Sequence, residues 1–424
     1  MSAPLGLPAR TDVVGLAGRS VGAAADAAAS LAGVASPLAP DPVRVSVAYS
    51  SERWFRVDGE PVRAFAPLSG FFRTRDGWVR THGNYPHHRA ALLRGLGLSP
   101  RDGDPAGERD AVAEALARRE TASVVTAVAA EHGLCVAVRP EDPRADAALR
   151  STPVVAVRPL GDAAPVPLPQ EDPAAPLRGV RVLDLTRVIA GPVATRTLAL
   201  LGAQVLRLDP PRLPELPNQH LDTGHGKRSA LLDVATPAGA ARFDELLAAA
   251  DVVALGYRPA ALDRLGLSPE ALAARHPGTI VLRLSAWGEP DRRGFDSLVQ
   301  AACGVALIES AAGEPGALPA QALDHSAGYL LAAAAMRLLH RRARNGGSWL
   351  AETSLRRVAA ELLGMPRTDA PEPPPRIGDP ADHTQTFDVL GTRITTAAPA
   401  VRYPGGPVEF APPRPWGGDE PAWW

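Results

Sequence analysis

The residue with the strongest claim to chemistry is Asp324, in the stretch from Asp291 to His340 (DRRGFDSLVQAACGVALIESAAGEPGALPAQALDHSAGYLLAAAAMRLLH). It follows an apolar-rich run with proline and glycine breaks. It stands at the mouth of a long apolar helix predicted from Ser326 to about His340. A helix start offers unpaired N–H groups and the positive end of the helix dipole, which keep a carboxylate ionised and fix its direction. A simple helix cap would also be an aspartate here. Arg258 and Arg264 lie six apart in ALGYRPAALDRLGLS, just beyond a predicted strand ending at Leu255. Phosphates bind at such strand ends in open α/β sheets, although exposed helix arginines would read the same way. Tyr257 adds a flat face on which an adenine could lie. His82, His87 and His88 raise the question of a metal, but no further ligands follow at a site-like spacing. His87 and His88 also face different ways on a helix, so no metal is expected. Cys135 and Cys303 are isolated thiols without metal or disulfide spacing.

The elements that must position these groups begin at Gly179, where an α/β rhythm sets in. GVRVLDL (179–185) is predicted as a strand, RVIAGP as a turn holding Gly191, and VATRTLALLG (193–202) as a helix ended by Gly202. Strands are predicted at 203–209, 229–233, 251–255 and 279–285, with helices between them. Continuous apolar strands alternating with amphipathic helices imply a doubly wound, mostly parallel Rossmann-like sheet, with ligands at the carboxyl ends of its strands. Neither a G-x-G-x-x-G turn nor a G-x-x-x-x-G-K-[ST] loop is present, which argues against a nicotinamide cofactor or ATP.

Upstream, residues 1–158 read as a small α+β domain. It has an Ala-rich helix within 11–36, β-rich runs at 43–49 and 54–57, and a hairpin at 71–83 turning on Asp76–Gly77. Helices are predicted from Pro86 to about 96, at about 108–118 and at 121–132, and a strand at 134–139. Residues 159–176 hold six prolines and read as an extended linker. Residues 177–365 form the main domain, and 366–424, with thirteen prolines, an extended tail.

Composition closes off several functions. The 424 residues are 46% hydrophobic and carry a net charge of −1, so neither nucleic acid nor an anionic membrane is an expected partner. A single lysine, Lys227, among 45 basic residues points to a GC-rich genome. No window reaches the roughly 18 apolar residues of a membrane span. The start, MSAPLGLPAR, lacks the features of a secretory signal, so a cytoplasmic location is expected.

Five motifs carry a resemblance: LRGVRVLDLTRVIAGPVATRTLALLGAQVLRLD, GKRSALLDV, RPAALDRLG, RRGFDSLVQA and ALDHSAGYLLAAAAMRLLHRRA. Together, in this order over residues 177–355, they resemble the family III CoA-transferases (CaiB/BaiF, formyl-CoA transferase-like). The resemblance implies acyl-CoA and carboxylic acid substrates, coenzyme A as carrier with no tightly bound cofactor, and an interlocked homodimer. It implies an aspartate nucleophile at Asp324 and CoA contacts at Val188, Tyr257, Arg258, Arg264, Leu265 and Arg293. It also places Asp296 near the active site. FFRTRDGWVRTHGNYPHHRAALLRGLG resembles the family's small domain, which normally follows the catalytic segment, so the order here looks rearranged.

With an ordinary pKa near ~4, such a carboxylate is ionised at neutral pH and attacks a thioester without a general base. Backbone N–H groups at the Ser326 helix start and in the 188–192 turn would then serve the oxyanion. Three slots depart from the family: Ile189 stands where a Gln is usual, Pro210 where an Arg is, and Gly256 where an Asn is. The nearest counterpart of a glycine-rich closing loop, GEPVRAFAPLSG at 59–70, has two glycines. Two other readings stay open. Acyl-CoA racemases pair an equivalent Asp with an upstream His, and that slot here is Phe295. A non-catalytic CoA-binding subunit would keep Asp324 only as a cap.

Overall fold

Seven strands form the main sheet, in the order 156–161, 348–354, 280–285, 252–255, 181–185, 204–209, 227–231. Six run parallel, and Ala156–Gly161 joins one edge antiparallel to Ser348–Ser354. This computed structural model describes residues 6–35, 38–168, 172–371 and 380–424. Parts of the two proline-rich segments, 169–171 and 372–379, lie outside the described residues.

The apolar strand runs bury both sheet faces because successive side chains point to opposite sides. Val182, Val205, Val252, Ile280 and Ala351 face one layer of helices; Leu183, Leu206, Val253, Val281 and Leu350 face the other. The first layer contains the Ala322–Asn345 helix and, packed in the same core, the N-terminal helix Val13–Leu31. That helix therefore belongs with the main body. A separate cluster, including Leu68, Phe72, Leu92, Val112 and Val128, joins the Gly70–Arg73/Trp78–Thr81 hairpin to the helices Pro86–Leu96, Pro105–Ala117 and Thr121–Ala130.

Several expectations change. Residues 43–49 alternate as a strand would, yet Pro42–Tyr49 is a helix: Asp41 caps it through Val43 and Arg44 N–H, and proline fills the first turn. The linker's first residues, 159–161, are strand, because a sheet edge accepts a proline. The tail is not wholly extended. Thr384–Val389 and Thr392–Ala397 form a hairpin that pairs with Arg56–Val57. The Ala322–Asn345 helix starts four residues before Ser326.

Candidate active site

Two close approaches build the site. Strand Arg181–Leu185 ends in the turn through Arg187 and Val188, and helix Ala190–Leu200 follows. A side chain at Gly191 would put its Cβ 2.2 Å from Thr186 Cβ. One at Gly328 would stand 2.6 Å from the carbonyl oxygen of Ala190. These two glycines let the turn fold tightly and let the Ala322–Asn345 helix lie against it. Beneath the turn, the lone lysine is buried: Lys227 Nζ donates to Asp184 Oδ2 (3.0 Å), Thr195 Oγ1 (2.7 Å) and the Pro192 carbonyl (2.9 Å). Burial pushes the Lys227 ammonium down to about 8 against the pull of Asp184. Burial also opposes the charge on Asp184, but Lys227 and Arg207 outweigh it and hold that carboxyl below its ordinary range.

Asp324 lies in the first turn of its helix, 7% exposed, and is one of the residues lining a cavity of 420 Å³. No donor among the described residues bonds its carboxylate. It is not the helix cap, which corrects one reading of the sequence. The cap comes from another helix: Asp296 Oδ2 accepts the Asp324 N–H at 2.9 Å, and Asp296 is held by Gln300 Nε2 at 2.5 Å. A cap supplied from outside needs no local capping residue, which is why the helix begins early. The expected ordinary acidity is also corrected. Burial, then the charge of Asp296, pushes the Asp324 carboxyl well above the usual range. Burial likewise raises Asp296, to about 6. The helix dipole favours the anion, against both the burial and the neighbouring charge.

The cavity opens at the carboxyl ends of the central strands, where strand order reverses. Arg187 and Val188 come from one strand end, Gly256, Tyr257 and Arg258 from the next, and Ser285 from a third. The N-terminal segment closes it with Tyr85, His87, His88 and Leu134. A buried network ties the two sides together. Glu215 accepts from Tyr85 Oη (2.5 Å), the Val188 N–H (3.2 Å) and Arg207 Nη2 (2.9 Å). Arg187 lies over the Tyr85 ring at 5.0 Å and reaches Glu215 at 3.4 Å. Burial works against the charge on Glu215, yet Arg207 and Arg187 bring its carboxyl down to about 2.

Of the residues singled out from the sequence, Asp324, Val188, Tyr257, Arg258 and Arg293 meet at this cavity. Arg264 and Leu265 are exposed at the end of helix Pro259–Asp263, outside its lining. Ile189 and Gly191 support the turn, and Asp296 supports Asp324. Ser326 faces away: its hydroxyl shares a 3.0 Å hydrogen bond with that of Tyr49, and its N–H lies inside the helix. The Val188 N–H is already taken by Glu215, so the expected oxyanion donors at these two residues are engaged. Sequence reading missed Arg187, Tyr85 and Glu215, and cast His88 only as a metal candidate. Among the described residues no cluster suits a metal ion, and His82 instead stacks on Phe295 at 3.8 Å.

The chain is similar to several known proteins. A "Probable fatty acyl-CoA transferase Rv3272" of Mycobacterium tuberculosis is 32% identical over 234 residues, covering 49% of this chain and 59% of its own. A succinate–glutarate CoA-transferase of Agrobacterium fabrum is 28% identical over 246 residues, covering 51% and 61%. A crystal structure of a CAIB/BAIF family protein from Brucella suis matches with 25% identity over 52% of this chain and 65% of that one, at a TM-score of 0.40. The chain thus spans less than two thirds of the length of these relatives. No helix among the described residues is long and apolar enough to cross a membrane. Residues 177–392, half of the chain, match the model of CoA-transferase family III, and the chain belongs to that family.

Proposed function

We propose that the chain transfers coenzyme A between an acyl-CoA thioester and a carboxylic acid, with Asp324 as the nucleophile. One observation carries this reading: a buried carboxylate, bonded by no donor among the described residues, lines a cavity whose lining also holds three arginines, Arg187, Arg258 and Arg293. The arginines suit the CoA phosphates, and Tyr257 suits the adenine face. Arg264 and Leu265 extend the nucleotide surface beyond the cavity.

The ionised Asp324 attacks the thioester carbonyl. The C–S bond breaks, leaving an aspartyl–acyl anhydride and CoA thiolate. The thiolate then attacks the aspartyl carbonyl, the first acid departs as its carboxylate, and Asp324 holds CoA as a thioester. An acceptor carboxylate reverses the sequence. Burial that makes the Asp324 carboxyl a weaker acid makes its carboxylate a stronger nucleophile once ionised, and keeps water from the anhydride. The resemblance to interlocked dimers extends the proposal to a homodimer, tested by light scattering of the purified chain. The test of the chemistry is incubation with an acyl-CoA, trapping with hydroxylamine and mass spectrometry. A hydroxamate on the peptide holding Asp324, lost in Asp324→Ala, is expected; turnover without any adduct there sinks the reading.

A second reading has one observation in its favour. The racemase slot is Phe295, but His88 lines the same cavity as Asp324, with its ring 5.7 Å from that of Phe295. Burial, then His87, pushes His88 down to about 3, so it is a neutral base. Deuterium incorporation at the thioester α-carbon without an Asp324 adduct would favour proton exchange over transfer.

A further inference from the structure

The cavity lining combines two chemically different sets of residues, arginines toward solvent and apolar side chains beside Asp324. At the open end Arg293 is exposed and donates to the His132 carbonyl (2.9 Å), and Arg258 pairs loosely with Asp291 at 3.6 Å. Arg187 is committed to Glu215 and to the Pro214 carbonyl (2.8 Å). At the buried end, Phe295 immediately precedes Asp296, whose carboxylate holds the Asp324 N–H, so its ring belongs to the wall beside the nucleophile. Leu134 (5% exposed) and Leu355 (3% exposed) also line the cavity, with Leu284 and Ala286. Behind Phe295, His82 stacks face to face at 3.8 Å and His88 packs edge-on, so the ring is clamped.

We propose that this end is an acyl chamber for apolar monocarboxylic acyl groups, closed to acyl groups bearing a second carboxylate, with Phe295 as the residue that sets the preference. The inference rests on the CoA-transfer reading for its orientation: phosphates at the arginines bring the pantetheine arm to Asp324, and the acyl carbons take the remaining buried space. A distal carboxylate placed there would meet carbon walls, the His88 ring and the Asp324 carboxyl. Unpaired burial of a charge is costly. Among the described residues no donor bonds the Asp324 carboxylate, and burial and the charge of Asp296 push it up. The three arginines are the groups assigned to the CoA phosphates.

The test uses two unreactive thioethers of equal length, S-hexyl-CoA and S-(5-carboxypentyl)-CoA, titrated by calorimetry into the full chain. Like-charge opposition of a few kcal/mol corresponds to S-hexyl-CoA binding about 100-fold more tightly. Equal binding, or tighter binding of the carboxylated probe, overturns the chamber. Phe295→Lys should reverse the preference, and the wild-type comparison stands alone if that variant does not fold. Because neither thioether reacts, the result is independent of turnover. A hexyl preference without any CoA transfer keeps the chamber and rejects the transferase reading. Failure of both probes to bind rejects CoA binding, and the chamber with it.

Discussion

Asp296 Oδ2 accepts the main-chain N–H of Asp324 at 2.9 Å, so the acid that caps the helix of Asp324 also crowds its carboxyl electrostatically. Both carboxyls are raised by burial, and each stands above its value in the unfolded chain. Their contribution to stability is therefore fully present below about pH 4 and is lost as pH rises through their folded values, which for Asp296 lies at about 6. Asp296→Asn keeps an oxygen for the Asp324 N–H and removes the neighbouring charge. The difference in Tm between wild type and variant should shrink, and change sign toward the variant, from pH 4 to 7. The acid limb of kcat/KM for transfer should move to lower pH. A wild-type and variant pair with parallel Tm profiles and the same acid limb would show that the two carboxyls do not communicate.

The lone lysine makes a second prediction. Lys227 and Asp184 are both buried, and Asp184 also accepts from Thr186 and Thr195. Removing one member of a buried pair strands the other, at a cost of about 3–5 kcal/mol. Lys227→Met should lose that much in chemical denaturation, and Lys227→Met with Asp184→Leu should regain most of it. A loss below about 1 kcal/mol in the single variant would mean that the pair does not hold the turn.

How far the sequence could lead is clear from particular residues. The central strands were readable because buried parallel strands are unbroken apolar runs, and Asp324 and Arg258 were readable from their places after such elements. Pro42–Tyr49 was not, because V-R-V-S-V alternates like a strand and the deciding group is the Asp41 cap. The Asp296 cap on Asp324 spans 28 residues and leaves no local trace. Lys227, Arg187 and Glu215 look like ordinary surface charges until folding pairs Lys227 with Asp184 and Arg187 with Glu215. Tyr85 and His88 reach the cavity through the docking of the N-terminal segment, which no motif encodes. The tail hairpin hid among prolines: its turn at Leu390–Gly391 has positive φ at both residues, fixed by Asp388 Oδ1 bonding the Gly391 N–H.

Glu215 gives a third prediction, in which stability and binding separate. Glu215→Gln keeps the shape and loses the charge that Arg207 and Arg187 face. Arg207 retains Asp209 (2.7 Å), so the fold should survive. Arg187 loses its ionic anchor, and the Val188 turn loses its acceptor's charge. The KM for acyl-CoA should rise about tenfold, equivalent to about 1.4 kcal/mol, while kcat changes far less. A fall in kcat with unchanged KM would place Glu215 in the chemical step instead.

The C-terminal tail makes the last prediction. Its residues run along the outer strand Lys227–Leu231, the edge of the main sheet. Asp419 bonds the Ser229 N–H (3.0 Å), the Trp423 indole donates to the Leu246 carbonyl (3.0 Å), and Arg228 lies 4.2 Å over the Trp424 ring. Trp416 Nε1 donates to Asp209 Oδ2 (3.0 Å), so the tail also touches the Arg207–Glu215 network that backs the cavity. An uncovered edge strand is a template for pairing between molecules. A chain ending at residue 414 should unfold at lower temperature and scatter light at concentrations where the full chain does not. Trp416→Phe keeps the cover and deletes one hydrogen bond, so it should cost only about 1 kcal/mol and leave the protein monodisperse. If truncation leaves both Tm and scattering unchanged, the tail is not what protects that edge.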